Sequence, residues 1–188
     1  MTMENCLYKF KIDFDKNKLL QESKVFNYKP VNKQNFLTRS SDEIHNDDLS
    51  FIENNGQWWT EQTSWNASRE PKITDFDISE SRRILALFKT MCDTDDIKSN
   101  FLTQEKDTEV LLHTDPGTTC KINFVLQGGH TPVVFKGYNE DFYDIALLNI
   151  TIPHSVPVQT DMKRVLYTLR FTKDSYEDVK QKIKERNK

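Results

Sequence analysis

Seven short β-like runs, with turn signals among them, occupy residues 101–171. They fall at 101–102, 109–112, 120–126, 132–135, 144–152, 154–158 and 164–171. Asp115-Pro116-Gly117, Gln127-Gly128-Gly129, Gly137-Tyr138-Asn139 and Thr160-Asp161 punctuate them. The regular spacing of the runs predicts an antiparallel sandwich or barrel, in which every strand finds a neighbour.

The flanks have a different character. Residues 7–14 alternate apolar and polar side chains, the pattern of a half-buried strand. Residues 27–75 are polar, rich in Asn, Gln, Ser and Asp, and bracketed by Pro30 and Pro71, which predicts irregular structure with at most short elements. Three tryptophans, Trp58, Trp59 and Trp65, lie in this stretch; they fit a cover over a sheet edge or a substrate-facing lip. Asp77-Ile78-Ser79-Glu80 has the form of a capping box, and Ile84, Leu87, Phe88 and Met91 follow at helical spacing, so a helix is expected to end near Asp93. A last helix is expected after Asp174-Ser175-Tyr176-Glu177, with Tyr176, Val179 and Ile183 inward. The expected fold class is therefore α+β: a double-stranded β-helix (jelly roll, cupin-like) with flanking helices. We expect one domain over residues 1–188, with an N-terminal elaboration (1–100), a jelly-roll core (101–172) and a C-terminal helix (173–188).

Composition narrows the function classes. The chain has 188 residues, long enough for a core without disulfides. A net charge of -3 argues against nucleic acid and anionic membrane as partners. The C-terminal lysines are interrupted by Glu177, Asp178 and Glu185, as on a solvated helix face. Three cysteines, Cys6, Cys92 and Cys120, form no CxxC and fit a reducing compartment. The N-terminal residues carry no signal-like apolar stretch and no run reaches membrane-spanning length, so a cytoplasmic location is expected.

Chemistry gathers in the β half. His113 and Asp115, in His113-Thr114-Asp115, stand two apart, and side chains two apart on a strand point the same way. His154 follows 41 residues later, after several strands. Two histidines and one carboxylate can hold one face of an iron(II) ion and leave the other open. With four His and 17 Asp, about a third of an HxD match is expected by chance, so the surroundings must supply the specificity. Arg164 stands 10 residues after His154, at the head of an apolar strand, where a buried guanidinium is costly unless an anion meets it. Asn123 is polar within an apolar run and suited to bonding a ligand. His130 and His45 fit exposed turn or loop positions, and Cys120 a small core residue.

This order of His113-Thr114-Asp115, His154-Ser155-Val156 and Arg164 resembles the iron(II)/2-oxoglutarate-dependent dioxygenases. Residues 111–124, with 152–156 leading into 164–171, look most like the aspartyl/asparaginyl β-hydroxylase and prolyl hydroxylase-like branches. The resemblance covers residues 101–172. It implies His113, Asp115 and His154 as iron ligands and Arg164 as partner of the distal carboxylate of 2-oxoglutarate. Arg170, on the same strand face, is the alternative, and Asn123 is a further cosubstrate contact. Some branches place Ser or Thr two residues after the Arg; here that position is Leu166, and Thr168 or Tyr167 is the expected substitute. The implied activity is hydroxylation of a protein side chain or small molecule, using O2 and 2-oxoglutarate and releasing succinate and CO2. Two readings compete with it: a non-catalytic or zinc-binding cupin-like barrel on the same three ligands, and an interaction module built on the tryptophan-containing region.

Overall fold

The computed structural model describes residues 3–30, 65–71, 77–115, 117–128, 132–158 and 162–186. After a short 3-10 turn at Met3–Asn5, the order is β1 (Leu7–Lys9), α1 (Lys16–Ser23), β2 (Phe26–Pro30), β3 (Trp65–Pro71), α2 (Ser79–Cys92), β4 (Ile97–Gln104), β5 (Val110–His113), β6 (Cys120–Gln127), β7 (Val134–Phe135), β8 (Ile145–Leu148), β9 (His154–Val156), β10 (Arg164–Phe171) and α3 (Tyr176–Arg186). A seven-stranded sheet runs β1-β8-β6-β10-β4-β3-β2, and a three-stranded sheet runs β5-β9-β7. Every strand pairing is antiparallel. The fold is a jelly roll of the α+β class, with helices on the outer face of the larger sheet.

β10 explains why the runs read as nearly continuous apolar stretches. It is a central strand covered on both faces. Val165, Tyr167, Leu169 and Phe171 pack into an outer core with Ile84 and Phe88 of α2 and Val179 and Ile183 of α3. Leu166 points the other way, into an inner core shared with Val125, Ala146, Leu148 and Phe135 of the small sheet. Aromatic edges knit the outer core: Phe101 lies 5.1 Å from Tyr167, Phe124 5.8 Å from Tyr167, and Phe88 6.2 Å from Phe124.

Several expectations change in physical detail. The alternation over residues 7–14 is real, since Tyr8, Phe10, Ile12 and Phe14 all pack against the outer core. The ladder nevertheless stops at Lys9, because its partner β8 begins at Ile145. The polar stretch expected to be irregular contributes two strands at its ends. Their prolines, Pro30 and Pro71, are terminal residues of β2 and β3, positions where a missing N–H is tolerated. Trp65 opens β3 opposite Gln104, whereas Trp58, Trp59, His45 and His130 lie outside the described residues. The β region begins at Ile97 rather than 101, as β4 runs the full length of β10.

Neither capping box forms as the spacing predicts. Glu80 turns away from its own helix end, accepts from the Asp15 N–H at 2.9 Å and pairs with Arg83. Asp77 takes only the first N–H of α2, that of Ser79, at 2.8 Å, and the next two are taken by Glu22 of α1, which accepts from Glu80 at 2.8 Å and Ser81 at 2.9 Å. A carboxylate at a helix N-terminus also complements its dipole. In α3 the box shifts by one residue: the Ser175 hydroxyl accepts from the Asp178 N–H at 3.2 Å and donates to the Asp178 carboxylate at 2.6 Å.

Candidate metal centre

β5 ends at His113 and β9 begins at His154, and the register sets the two directly opposite. Cross-strand partners share a sheet face, so both rings project to the same side. Their centroids are 4.5 Å apart, and both residues are buried. Asp115 lies past the end of β5. Its backbone N–H donates to the Ile150 carbonyl at 3.3 Å, which ties this turn to the approach to β9. A loop anchor, and not strand alternation alone, brings the carboxylate to the histidines. His113 Nε2 lies 3.5 Å from Asp115 Oδ1, and His154 Nε2 lies 4.0 Å from Asp115 Oδ2. One donor atom from each of the three falls within 4.8 Å of the others.

The protonation states suit a cation. His154 Nδ1 is 3.0 Å from the Ile152 carbonyl, which can only accept, so the proton sits on Nδ1 and Nε2 offers its lone pair to the centre. Burial, reinforced by neighbouring His113, drives the His154 pKa down to about 3, and the Asp115 charge offsets only part of this. Burial opposes ionisation of Asp115, but Lys121 and the two histidines outweigh it and hold the carboxyl well below its ordinary range. Two imidazoles and one carboxylate form a donor set that fits iron(II) and other borderline divalent ions. The histidine side chains are 4–5% exposed and the carboxylate 24%, so solvent approaches from the Asp115 side.

A second buried polar group lies between the sheets. Arg164 is 1% exposed. Its Nη2 donates to the Tyr143 hydroxyl at 3.3 Å, and Asn123 Nδ2 donates to the same oxygen at 2.9 Å. Among the described residues, Arg164 Nε and Asn123 Oδ1 have no hydrogen-bond partner. Among the described residues no carboxylate pairs with Arg164. The chain makes room for this residue at Gly128, which has φ +70; a Cβ there would lie 2.9 Å from the Arg164 Cα. Thr168 stands opposite Asn123 across β6 and β10, wholly buried, with its hydroxyl unpartnered among the described residues.

The two substitutes expected for Leu166 separate. Tyr167 faces the outer core and donates to the Ser81 carbonyl at 2.7 Å, so it takes no part in the inner group. Thr168 shares the face of Arg164 and Leu166 by strand alternation. Arg170 shares that face too, but lies at the far end of β10, opposite Lys121 of β6 and Lys98 of β4. It is therefore outside the Arg164–Tyr143–Asn123 group. Cys120 is a core residue whose thiol burial pushes up to about 12, which removes it as a nucleophile.

Sequence reasoning passes over two residues of these groups. Lys121, ion-paired with Asp115, stands two before Asn123 on the same strand face, and a lysine inside an apolar run was the available signal. Tyr143 just precedes the run at 144–152, in a connection with no pattern of its own.

No family model and no curated protein matches the sequence. Among solved structures, the chain is similar to a 2OG-Fe(II) oxygenase family oxidoreductase from Burkholderia pseudomallei, at 13% identity and a TM-score of 0.47 over 85% of this chain and 79% of that one. It is similar to a salicylate 1,2-dioxygenase from Pseudoaminobacter salicylatoxidans, at 16% identity and a TM-score of 0.37 over 66% of this chain and 29% of that one. It is also similar to an RmlC-like cupin protein from Desulfovibrio desulfuricans, at 25% identity and a TM-score of 0.32 over 41% and 74%. None of these reaches a TM-score of 0.5, and the chemistry rests on this chain's own residues.

Proposed function

We propose that this chain is an iron(II)- and 2-oxoglutarate-dependent oxygenase that hydroxylates a protein side chain or a small molecule. The observation that carries the reading is a pairing within one barrel. A His113–Asp115–His154 donor set accompanies a wholly buried Arg164 that no carboxylate among the described residues meets. A guanidinium this buried is costly unless a ligand brings the countercharge, and a dicarboxylic cosubstrate does so. A zinc-binding or non-catalytic barrel uses the same three donors but has no need of that guanidinium.

Bound together, iron(II), 2-oxoglutarate and O2 supply an oxidant able to hydroxylate a C–H bond, with release of succinate and CO2. The chain's own part is positional. His113, Asp115 and His154 hold the metal on one side. The Ile152 carbonyl keeps His154 in the ligating tautomer. Arg164 receives the distal carboxylate of 2-oxoglutarate, while Tyr143 holds the guanidinium and Asn123 extends the polar wall. Phe135, with its ring centroid 5.6 Å from that of His154, keeps water off the inner side of the histidines. The motif order favours the aspartyl/asparaginyl β-hydroxylase and prolyl hydroxylase-like branches, and the free cysteines favour the cytoplasm. No helix among the described residues is long and apolar enough to cross a membrane.

The test is anaerobic loading of the purified protein with iron(II) and 2-oxoglutarate. A visible charge-transfer band, followed by succinate on admission of O2, is the expected result. Absence of both, in protein shown to bind iron, rejects the reading.

A further inference from the structure

One charge stands against the metal-binding carboxylate. Lys121 projects from β6, and its Nζ is ion-paired with Asp115 Oδ2. Its side chain is only 12% exposed, and among the described residues no other carboxylate pairs with it. Oδ2 is also the oxygen nearest His154 Nε2, at 4.0 Å, while Oδ1 faces His113. The ammonium therefore occupies an oxygen on the side where a metal shared by the three ligands has to bind. A monovalent and a divalent cation on one carboxylate, both poorly hydrated, repel each other strongly.

Without a metal, Asp115 would be a poorly solvated anion beside two imidazoles, a state that is costly unless paired. Its backbone N–H is tied to Ile150, but its carboxylate charge has Lys121 alone among the cations of the described residues. Resting on the metal reading above, we infer that Lys121 is a stand-in cation. It holds Asp115 in place while the centre is metal-free and gives up Oδ2 when a divalent ion arrives. The four-carbon stem of lysine permits that withdrawal, where a rigid fork would not. Lys121 is thus a positioning residue that lowers metal affinity while keeping the empty site assembled.

A purely structural support for Asp115 predicts the opposite sign, because its loss would weaken metal binding. Calorimetric titration of the full chain with manganese(II) separates the two, with the metal-induced shift in Tm as a second readout. Lys121→Met keeps the stem and removes the charge. It is expected to bind manganese(II) about tenfold tighter, with a lower metal-free Tm and a larger shift on metal addition. Lys121→Arg, which keeps the charge, should bind no tighter than the wild type. If Lys121→Met does not fold, Lys121→Gln is held to the same criterion. Equal or weaker manganese(II) binding by a folded neutral variant overturns the stand-in role and leaves the metal centre intact. Failure of the wild type and the variants alike to bind manganese(II) overturns the metal centre and this inference with it.

Discussion

Asn123 stands directly opposite Thr168 across β6 and β10, and neither Asn123 Oδ1 nor the Thr168 hydroxyl has a hydrogen-bond partner among the described residues. Both side chains are almost fully buried, on the face that Arg164 shares. A lone unsatisfied buried hydroxyl is a defect; together with the Asn123 oxygen and Arg164 Nε it fits the polar wall of the cosubstrate site proposed above. Thr168→Val replaces the hydroxyl with a methyl of nearly the same shape. Chemical denaturation should show stability unchanged or raised by up to about 1 kcal/mol. Binding of 2-oxoglutarate to the metal-loaded protein should weaken several-fold. A loss of stability comparable to that of a broken hydrogen bond would show that the hydroxyl serves the fold.

Gly128 gives Arg164 its place. At φ +70 any side chain is strained, and a Cβ would lie 2.9 Å from the Arg164 backbone, where nothing can swing aside. Gly128→Ala is expected to cost about 1–3 kcal/mol and to weaken 2-oxoglutarate binding through displacement of β10. Manganese(II) affinity should hold, because His113, Asp115 and His154 lie on other elements. Equal loss of metal and cosubstrate affinity would point to general unfolding instead.

The legible and the illegible parts of this site differ in kind. His113 and Asp115 are near in sequence and His154 opens an apolar run, so type and order were enough to nominate them. Their direct opposition depends on the β5–β9 register, which no local pattern encodes. Arg164 was legible as a charge out of place, and Gly128 only as a turn residue, because its contact is with a strand 36 residues away. Tyr143 lies in a connection without periodicity, and its role exists only because β6 and β10 converge on it. Glu22 is the clearest case at the level of fold. A helix start was visible at 77–80, and Asp77 does take the first N–H, but the next two are capped by Glu22 from another helix, and long-range caps leave no mark at fixed spacing.

Acid should unfold the metal-free protein through His154. Its pKa falls from 6.5 to about 3 on folding, chiefly by burial. Between those values the unfolded chain binds a proton that the native chain refuses, so stability drops as pH falls through this window. From pH 7 to pH 5 the loss attributable to this residue is about 2 kcal/mol. Asp115, also depressed on folding, adds its loss only as pH falls below about 3.8. Urea midpoints at pH 7, 6 and 5 measure the slope, and His154→Asn should flatten it. An identical slope in that variant would assign the acid sensitivity elsewhere.

Arg164 is expected to set function against stability. Its guanidinium is buried, holds one neutral partner and leaves Nε unsatisfied. Such a charge contributes little to the fold by itself, and an apolar residue of similar length is often as good or better. Tyr143 keeps its bond to Asn123 when the guanidinium is gone. Arg164→Met should therefore hold Tm or raise it, leave manganese(II) affinity unchanged, and lower the affinity for 2-oxoglutarate by about 100-fold. Arg164→Lys keeps the charge but not the planar fork, and should fall between the two. Arg170→Met, altered at the far end of β10, is the matched control. Should Arg170→Met lose 2-oxoglutarate while Arg164→Met retains it, the cosubstrate belongs beside Lys121 and Lys98; if neither loses it, the buried guanidinium serves some other anion.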